Sequence, residues 1–385
     1  MVPDWIWYAF IFAFGSCVGS FLNVVIYRLP RDKSLVFPPS ACPACGKHIH
    51  FYDNIPLISW LLLGAKCRYC KASISPRYFV IELLTALLFT GTFFLFFRTN
   101  LRAGVAPFVG GGWFIYLMTL ILLSALLAAS AIDLELWIIP LSICWFITGA
   151  GLAGSAVGQF VINPAVIRGY ALLPVASAAT GSLAIGAAIG TGISLLLLVT
   201  GCIKRSYEWE AETAASAGAE SAASSDANIS HRMEVCKEIV FLLPIIGCAV
   251  GSYCLCREVE AVRTWWVNFS QQPVIAGLLG SLWGYFAGCG AVWATRILGT
   301  LAFGKEAMGL GDVHLMGAAG SVIGAGLSVV AFFIAPFFGL VWAAWQMFFK
   351  KTRQIPYGPF LSMGIVVVII LHDWILNYWS FLRYQ

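Results

Sequence analysis

The sequence predicts an all-α polytopic membrane protein with about 8–10 transmembrane helices. Of the 385 residues, 60% are hydrophobic and 11% are charged, and the mean hydropathy is +0.86. Soluble domains carry about 25% charged residues, so a water-soluble protein is excluded. Apolar runs of about 20 residues, long enough to cross a bilayer as helices, recur along the chain. A polar segment with four cysteines, residues 28–77, follows the first run and predicts a cytoplasmic zinc-ribbon-like loop.

The first apolar run, residues 5–27, is longer than the core of a signal peptide, and no basic residue precedes it. We therefore expect it to remain in the membrane as the first helix. Residues 313–349 are too long for one crossing and predict two spans joined by a tight turn. The other predicted spans are 78–97, 113–132, 137–160, 170–202, 238–256, 274–302 and 359–380.

Cations in the loops orient these helices, because Lys and Arg are enriched on the cytoplasmic side of membrane proteins. With alternating crossings, the cations of residues 28–77 fall on the same side as Lys204, Lys305 and Lys350. That side is expected to be the cytoplasm, which leaves both chain termini outside. No basic run with interleaved aromatic residues indicates a nucleic-acid partner.

Five segments describe the predicted organisation of the chain. One of them contains the Ala/Ser-rich stretch 206–230, whose composition is typical of a flexible cytoplasmic loop. Glycines spaced four residues apart, such as Gly284 and Gly288, predict close contacts between helices in lipid. The segments are a first helix (1–27), the cytoplasmic four-cysteine loop (28–77), helices with a first acidic candidate (78–160), an insertion (161–270) and helices with a second acidic candidate (271–385).

Two Cys-x-x-Cys turns, which we call knuckles, lie in the four-cysteine loop. Their four thiolates have the spacing of a tetrahedral zinc site. The expected ligands are Cys42, Cys45, Cys67 and Cys70. A site closed by four cysteines is typically structural, so the zinc is expected to fold the loop. Structural disulfides are rare on the reducing side of the membrane, so they are not expected here. Redox chemistry of the cysteines is the alternative to zinc.

Three acidic residues lie at the depth of the membrane, where ionisable side chains are costly and therefore call for a reason. Asp133 ends the third predicted span and Asp312 follows the seventh, so both are expected at the cytoplasmic face. Each aspartate could also be an interfacial helix cap. Glu82 lies one turn after Arg77, which favours a structural ion pair or a contact with the helix N-terminus.

A pair of aspartates can share one proton, because two like charges at close range cannot both ionise. The ionised member then activates water, and the protonated member polarises a peptide carbonyl. Gly309 and Gly311 precede Asp312, and we expect them to adopt positive φ and to leave room for an extended peptide. His314 follows two residues later and either contacts this site or extends toward the membrane surface.

Seven motifs in order give the sequence a family resemblance. It closely resembles the type IV prepilin peptidases, GxGD-type aspartyl proteases of the bacterial inner membrane. The motifs are GSFLNVVIYRLP (19–30), the two knuckles, YDNIPLISWLLLGAKCRYC (52–70), ISPRYFVIELLTALLF (74–89), AIDLELWIIP (131–140), GKEAMGLGDVHLMGAAG (304–320) and PYGPFLSMG (356–364).

The resemblance implies that Asp133 and Asp312 are catalytic. It implies cleavage of the short basic leader of prepilins or pseudopilins after a Gly at the cytoplasmic face. Many members of the family then methylate the new N-terminal residue with S-adenosylmethionine, and the four-cysteine loop is associated with members that do both. Glu82 matches an acidic position of the family, so it is either a methyl-transfer residue or a structural acid.

The sequence departs from the family pattern at several positions. Leu141 and His314 stand where the family commonly has Asp and Lys, and Tyr357 stands in a Pro-Phe-Gly-Pro motif. The segment 165–270 adds two apparent spans to the usual eight. With His314 in place of Lys, the charge near Asp312 and its dependence on pH are expected to differ from those of the family.

Three other functions fit the same residues. The first is a peptidase that has lost methyl transfer. The second is a proton-coupled transporter in which the two aspartates carry protons, although the inverted repeats common in transporters are not visible. The third is a scaffold whose zinc loop binds a partner of a secretion apparatus. Shortening of a prepilin substrate by its leader separates the protease functions from the other two.

Overall fold

The structure is a computed structural model that describes residues 3–99, 108–163, 173–204, 206, 231–349 and 356–383. Across these ranges the chain is helical, and β-structure is limited to two isolated bridges in the four-cysteine loop. The helices are α1 Asp4–Arg28, α2 Ile58–Leu62, α3 Pro76–Phe97, α4 Trp113–Leu136, α5 Leu141–Val161, α6 Ala178–Val199, α7 His231–Glu258, α8 Glu260–Ser270, α9 Pro273–Phe303, α10 Leu310–Ile323, α11 Ala325–Phe349, α12 Gly358–Ile370 and α13 His372–Arg383.

Eight helices in the described ranges are long and apolar enough to cross a membrane. The pair α12 and α13, bent by 72°, makes a ninth if it counts as one broken span. The prediction of an all-α protein with about 8–10 transmembrane helices is therefore confirmed. The protein is a multi-pass membrane protein.

Two predicted spans differ from the structure. The tight turn expected within 313–349 is present at Gly324, whose φ is 87°. The helix before it, α10, has only 14 residues, so at 1.5 Å per residue it is about 21 Å long and shorter than the hydrocarbon core. The predicted last span, 359–380, is broken where α12 meets α13.

The chain divides into two compact units. The first comprises Met1–Ala150, Phe160–Leu172 and Phe333–Gln385, and the second comprises Gly151–Gln159 and Leu173–Phe332. In the first unit, α1 packs along α3, and α4 packs against α12. In the second unit, α6 packs along α7, and α9 packs along α10.

Hydrogen bonds from polar side chains join the helices of the first unit. Asn23 of α1 donates from Nδ2 to the carbonyl of Tyr78 in α3, at 3.1 Å. The hydroxyl of Tyr116 in α4 donates to the carbonyl of Phe89 in α3, at 2.9 Å. The two hydrogen bonds join the first turn and the middle of α3 to its neighbours, and α3 is the helix that follows the four-cysteine loop.

Small residues bring the helices of the second unit into backbone contact, as the glycine spacing predicts. A Cβ added to Gly284 would lie 2.0 Å from the carbonyl oxygen of Gly320, and one added to Gly288 would lie 2.2 Å from that of Met316. A Cβ on Gly190 of α6 would lie 2.3 Å from the carbonyl oxygen of Pro244 in α7. The predicted role of these glycines in helix packing is confirmed.

The predicted flexible loop 206–230 lies outside the described residues except for residue 206. It stays a prediction, as do the segment boundaries drawn from the sequence.

Candidate active site and metal centre

The two knuckles fold in the same way. In the first, the N–H of Cys42 donates to the carbonyl of Lys47 at 2.9 Å, and in the second, the N–H of Cys67 donates to that of Ala72 at 2.8 Å. The residue after the second cysteine is left-handed in both, with φ of 69° at Gly46 and 59° at Lys71. The two knuckles therefore share one type of tight turn.

The four sulfur atoms form one cluster. Their Sγ atoms all lie within 4.8 Å of one another, and those of Cys42 and Cys70 are 3.8 Å apart. The backbone N–H groups of Cys70 and Tyr69 donate to the Cys67 sulfur and lower the pKa of its thiol to about 6. Such a set of thiols can hold a metal ion, because metals bind the thiolate form. His48 and His50 are not members of the cluster.

Charged and aromatic side chains of the four-cysteine loop contact one another near the cysteines. Arg68 donates from Nε to both carboxylate oxygens of Asp53, at 3.0 and 2.8 Å. These hydrogen bonds and the charge of Arg68 hold the pKa of Asp53 below its usual range. Asp53 and Arg68 therefore form a charged pair at neutral pH. His50 shares a hydrogen bond of 2.8 Å with Tyr69, and the ammonium of Lys47 lies 4.6 Å from the centre of the Tyr69 ring.

Glu82 links the four-cysteine loop to the membrane helices. Its side chain is buried in α3, and Oε2 accepts a hydrogen bond of 2.8 Å from the backbone N–H of Leu57. Leu57 precedes α2 and has a φ of 62°. The expected ion pair with Arg77 is wrong, because Arg77 pairs with Glu135 at the end of α4. The choice between a structural acid and a methyl-transfer residue stays a prediction for Glu82.

Asp133 lies in the last turn of α4 with 6% of its surface exposed. Its Oδ2 atom accepts a hydrogen bond of 2.9 Å from the backbone N–H of Gly358, the first residue of α12. One turn earlier, the Ser130 hydroxyl donates to that of Ser362 at 2.8 Å. Asp133 is therefore buried, and a second helix orients its carboxyl. An interfacial helix cap would be exposed to solvent.

Asp312 lies in the first turn of α10 with 8% of its surface exposed. Gly309 is the residue just before this helix, and a Cβ added to it would lie 3.6 Å from Oδ2 of Asp312. The prediction that Gly309 and Gly311 adopt positive φ is wrong. Gly309 has a φ of −71° and Gly311 belongs to the helix, whereas the positive φ falls on Gly304, where α9 ends.

His314 is half-buried in α10, and its Nδ1 atom lies 3.3 Å from the hydroxyl of Tyr285 in α9. The imidazole thus contacts the neighbouring helix, and its place at the active site stays a prediction. His314 lies one helical turn or less from Asp312 in the same helix, as the sequence predicts.

The candidate residues fall into the two units. The cysteine cluster, Glu82 and Asp133 belong to the first unit, and the segment from Gly309 to His314 belongs to the second. The structure joins Asp133 to Gly358, and it joins Glu82 to the four-cysteine loop. The pairing of Asp133 with Asp312 stays a prediction.

A buried ion pair joins α9 to α7 and was not predicted from the sequence. Arg296 of α9 is 1% exposed and Glu238 of α7 is 4% exposed, and their Nε and Oε1 atoms are 2.9 Å apart. Both residues lie within or at the edge of apolar runs, which is the signal that marked the two aspartates. Glu306, which follows α9 in the chain, also pairs with Arg296.

Two family models match the chain. The bacterial peptidase A24 N-terminal domain matches residues 13–96, which include the cysteine cluster and Glu82. The type IV leader peptidase family matches residues 234–344, which include Asp312 and Arg296. The second match begins inside the segment 161–270 that the sequence predicts to be an insertion.

Curated relatives match parts of the chain. Prepilin leader peptidase/N-methyltransferase of Myxococcus xanthus (strain DK1622) is 48% identical over 134 residues, which are 34% of this chain and 36% of the relative. The proteins of the same name from Aeromonas hydrophila and Klebsiella pneumoniae are 34% and 38% identical, over 44% and 40% of this chain. The matches span 63% and 65% of those two relatives. No solved structure gives a significant match to the chain.

Proposed function

We propose, since the chain belongs to the type IV leader peptidase family, that it is a membrane-embedded aspartyl endopeptidase. Its substrates are prepilins or pseudopilins, whose basic leader it removes after a glycine, and it N-methylates the new N-terminal residue. The observation that carries the proposal is the burial of Asp312 within the matched family segment, at the start of a short helix. The names of the relatives support both activities.

Asp133 and Asp312 supply the acid and the base of the proposed peptidase. The ionised carboxylate takes a proton from water while the water oxygen bonds to the carbonyl carbon of the scissile peptide. The protonated carboxyl gives its proton to the carbonyl oxygen. The C–N bond then breaks as the leaving nitrogen takes up a proton, so the reaction needs neither a metal nor a covalent intermediate.

The hydrogen bond from Gly358 gives Asp133 a fixed orientation in this reaction. It occupies one lone pair of Oδ2 and holds the carboxyl at the N-terminal end of α12. A carboxyl that enters the reaction with a set orientation needs less reorganisation in the transition state.

Zinc is the metal that we propose for the cysteine cluster. A tetrahedral site with zinc–sulfur bonds of about 2.3 Å separates neighbouring sulfurs by about 3.8 Å. The 3.8 Å between the sulfur atoms of Cys42 and Cys70 fits this geometry. Cys42, Cys45, Cys67 and Cys70 would all bind the ion, which leaves no open position for substrate. Its role is therefore to fold the loop.

The second proposed activity adds a methyl group to the amine that cleavage exposes. S-adenosylmethionine would supply this group. We propose that Glu82 takes part in this reaction, because its carboxylate accepts a hydrogen bond from Leu57 of the four-cysteine loop. We place the protein in the bacterial inner membrane, with the active site facing the cytoplasm and both termini outside.

Mass spectrometry of a prepilin incubated with the purified protein tests the proposal. Loss of the leader reports cleavage, and a further gain of one methyl group after addition of S-adenosylmethionine reports methylation. Asp133→Asn and Asp312→Asn should each abolish cleavage, because one carboxyl cannot act as both acid and base.

The outcomes separate the alternatives. Cleavage without methylation would leave a peptidase only. An intact substrate would favour the transporter or the scaffold. Near-normal cleavage by either single variant would overturn the assignment of the two aspartates.

A further inference from the structure

A fully buried arginine lies beneath the segment that leads into Asp312. The guanidinium of Arg296, in α9, is 1% exposed. Its Nε atom donates to Oε1 of Glu238 in α7 at 2.9 Å. Its Nη1 atom donates to the carboxylate of Glu306 and to the backbone carbonyl of Met308, both in the connection between α9 and α10. One side chain therefore joins two helices and a loop.

The two arms of this guanidinium differ in what they hold. The arm toward Glu238 joins α7 to α9, and the indole of Trp293 donates to the second oxygen of the same carboxylate at 3.1 Å. The other arm holds no helix. It fixes Glu306 and the carbonyl of Met308, which directly precedes Gly309 and the first turn of α10.

The connection between α9 and α10 has few hydrogen bonds of its own, so contacts from Arg296 matter for its conformation. Between Gly304 and Gly309 no helix or strand is formed, and Gly304 already has the left-handed φ of 66°. The hydroxyl of Thr300 accepts the N–H of Ala307 at 3.3 Å. Arg296 adds the contacts closest to the start of α10.

We propose that Arg296 is a positioning residue that sets the place of Asp312 by holding Glu306 and the Met308 carbonyl. The inference rests on the proposed peptidase function, in which the Asp312 carboxyl must meet water or the peptide with little freedom. The planar fork of arginine offers donors in several fixed directions at once, which a lysine ammonium does not. Arg296 therefore serves both arms, and a lysine is expected to serve one.

Arg296→Lys is the variant that tests this. The ammonium keeps a charge beside Glu238 but leaves the Met308 carbonyl without its partner. Hydrogen exchange of the peptide covering residues 304–312 should become faster than in wild type. The kcat for leader cleavage should fall by about tenfold to a hundredfold, because small displacements of a catalytic group are costly, while KM changes little.

Trp293→Phe is the matched control on the same helix. It removes one hydrogen bond to Glu238 and leaves the arm toward Met308 intact. The unfolding temperature should fall by a similar amount in Arg296→Lys and Trp293→Phe. In Trp293→Phe, however, kcat and the hydrogen exchange of residues 304–312 should stay near the wild-type values. A third variant, Glu306→Gln, keeps an acceptor for the guanidinium and should lie between the two.

Equal exchange in residues 304–312 and equal kcat for Arg296→Lys and Trp293→Phe would overturn the proposal and leave Arg296 a purely structural residue. If Arg296→Lys does not insert into the membrane, Glu306→Ala carries the same test, since it removes one of the two loop contacts. Hydrogen exchange does not depend on activity. A wild-type protein that cleaves no prepilin would therefore remove the proposed function, while the exchange data still decide what Arg296 holds.

Discussion

The backbone nitrogen of Gly358 lies 2.9 Å from the Oδ2 atom of Asp133, although 225 residues separate the two in the chain. Only a residue without a side chain fits this contact, because a Cβ on Gly358 would lie 2.7 Å from the same oxygen. The glycine of the PYGP motif is therefore explained by the space that the carboxyl occupies. Asp133 and the start of α12 form one structural feature.

Gly358→Ala should displace the Asp133 carboxyl and lower the rate of leader cleavage by about tenfold or more. The initial rate with a prepilin substrate measures this. Gly91→Ala in α3 is the control, because a Cβ there meets nothing within 4 Å. A Gly358→Ala protein as active as the control would show that the hydrogen bond does not matter for the reaction.

Gly288→Ala and Gly290→Ala compare two glycines of the same helix. A Cβ at Gly288 would lie 2.2 Å from the Met316 carbonyl oxygen, whereas one at Gly290 meets nothing within 4 Å. The first substitution should destabilise the protein by about 1–3 kcal/mol, as overpacking does. The second should leave it unchanged or slightly stabilised. Thermal unfolding in detergent measures both, and equal unfolding temperatures would contradict the close contact of α9 with α10.

Metal analysis should find about one zinc per chain in protein purified without chelators. Cys45→Ser should release the metal and open the four-cysteine loop to trypsin at its lysines and arginines. Cys17→Ser, an exposed cysteine of α1 outside the cluster, should keep the zinc and the resistance. Zinc retained at full stoichiometry by Cys45→Ser would rule out the four-cysteine site.

Glu82→Ala and Glu82→Gln separate two roles of this residue. Glutamine keeps an oxygen that accepts the N–H of Leu57, so hydrogen exchange around residues 52–64 should stay slow. Alanine leaves that N–H without its acceptor, and exchange there should become faster with zinc retained. If methylation is lost in both variants while exchange changes only in Glu82→Ala, the carboxylate itself serves methyl transfer. If methylation is lost only in Glu82→Ala, the variant in which exchange becomes faster, Glu82 is a structural acid.

The features that could be predicted from the sequence depend on local patterns. Span length follows from runs of apolar residues, the cysteine cluster from two short spacings, and the glycine contacts from a repeat of four residues. Hydrogen bonds between distant elements have no such local signature. The acceptor of the Leu57 N–H and the partner of Arg77 follow from how α3 lies against α4 and the loop.

Two errors have the same physical origin. The sequence identifies glycines before Asp312 but not which of them turns the chain, and the left-handed φ falls on Gly304 because α9 ends there. The apolar run 313–349 indicates that the chain turns within it, but not where the turn falls. A glycine with φ of 87° splits it into a helix of 14 residues and one of 25.

The hydrogen bond between Asn23 and Tyr78 brings together the two ends of the polypeptide that carries the cysteines. In polymer terms, the contact of α1 with α3 closes a ring, and the four-cysteine loop is the chain within that ring. The entropy of ring closure rises only with the logarithm of the length, so each doubling adds about 0.6 kcal/mol. The two helices therefore tolerate rings of very different size between Arg28 and Pro76. A change in the length of the four-cysteine loop is therefore expected to leave the contact of Asn23 with Tyr78 in place.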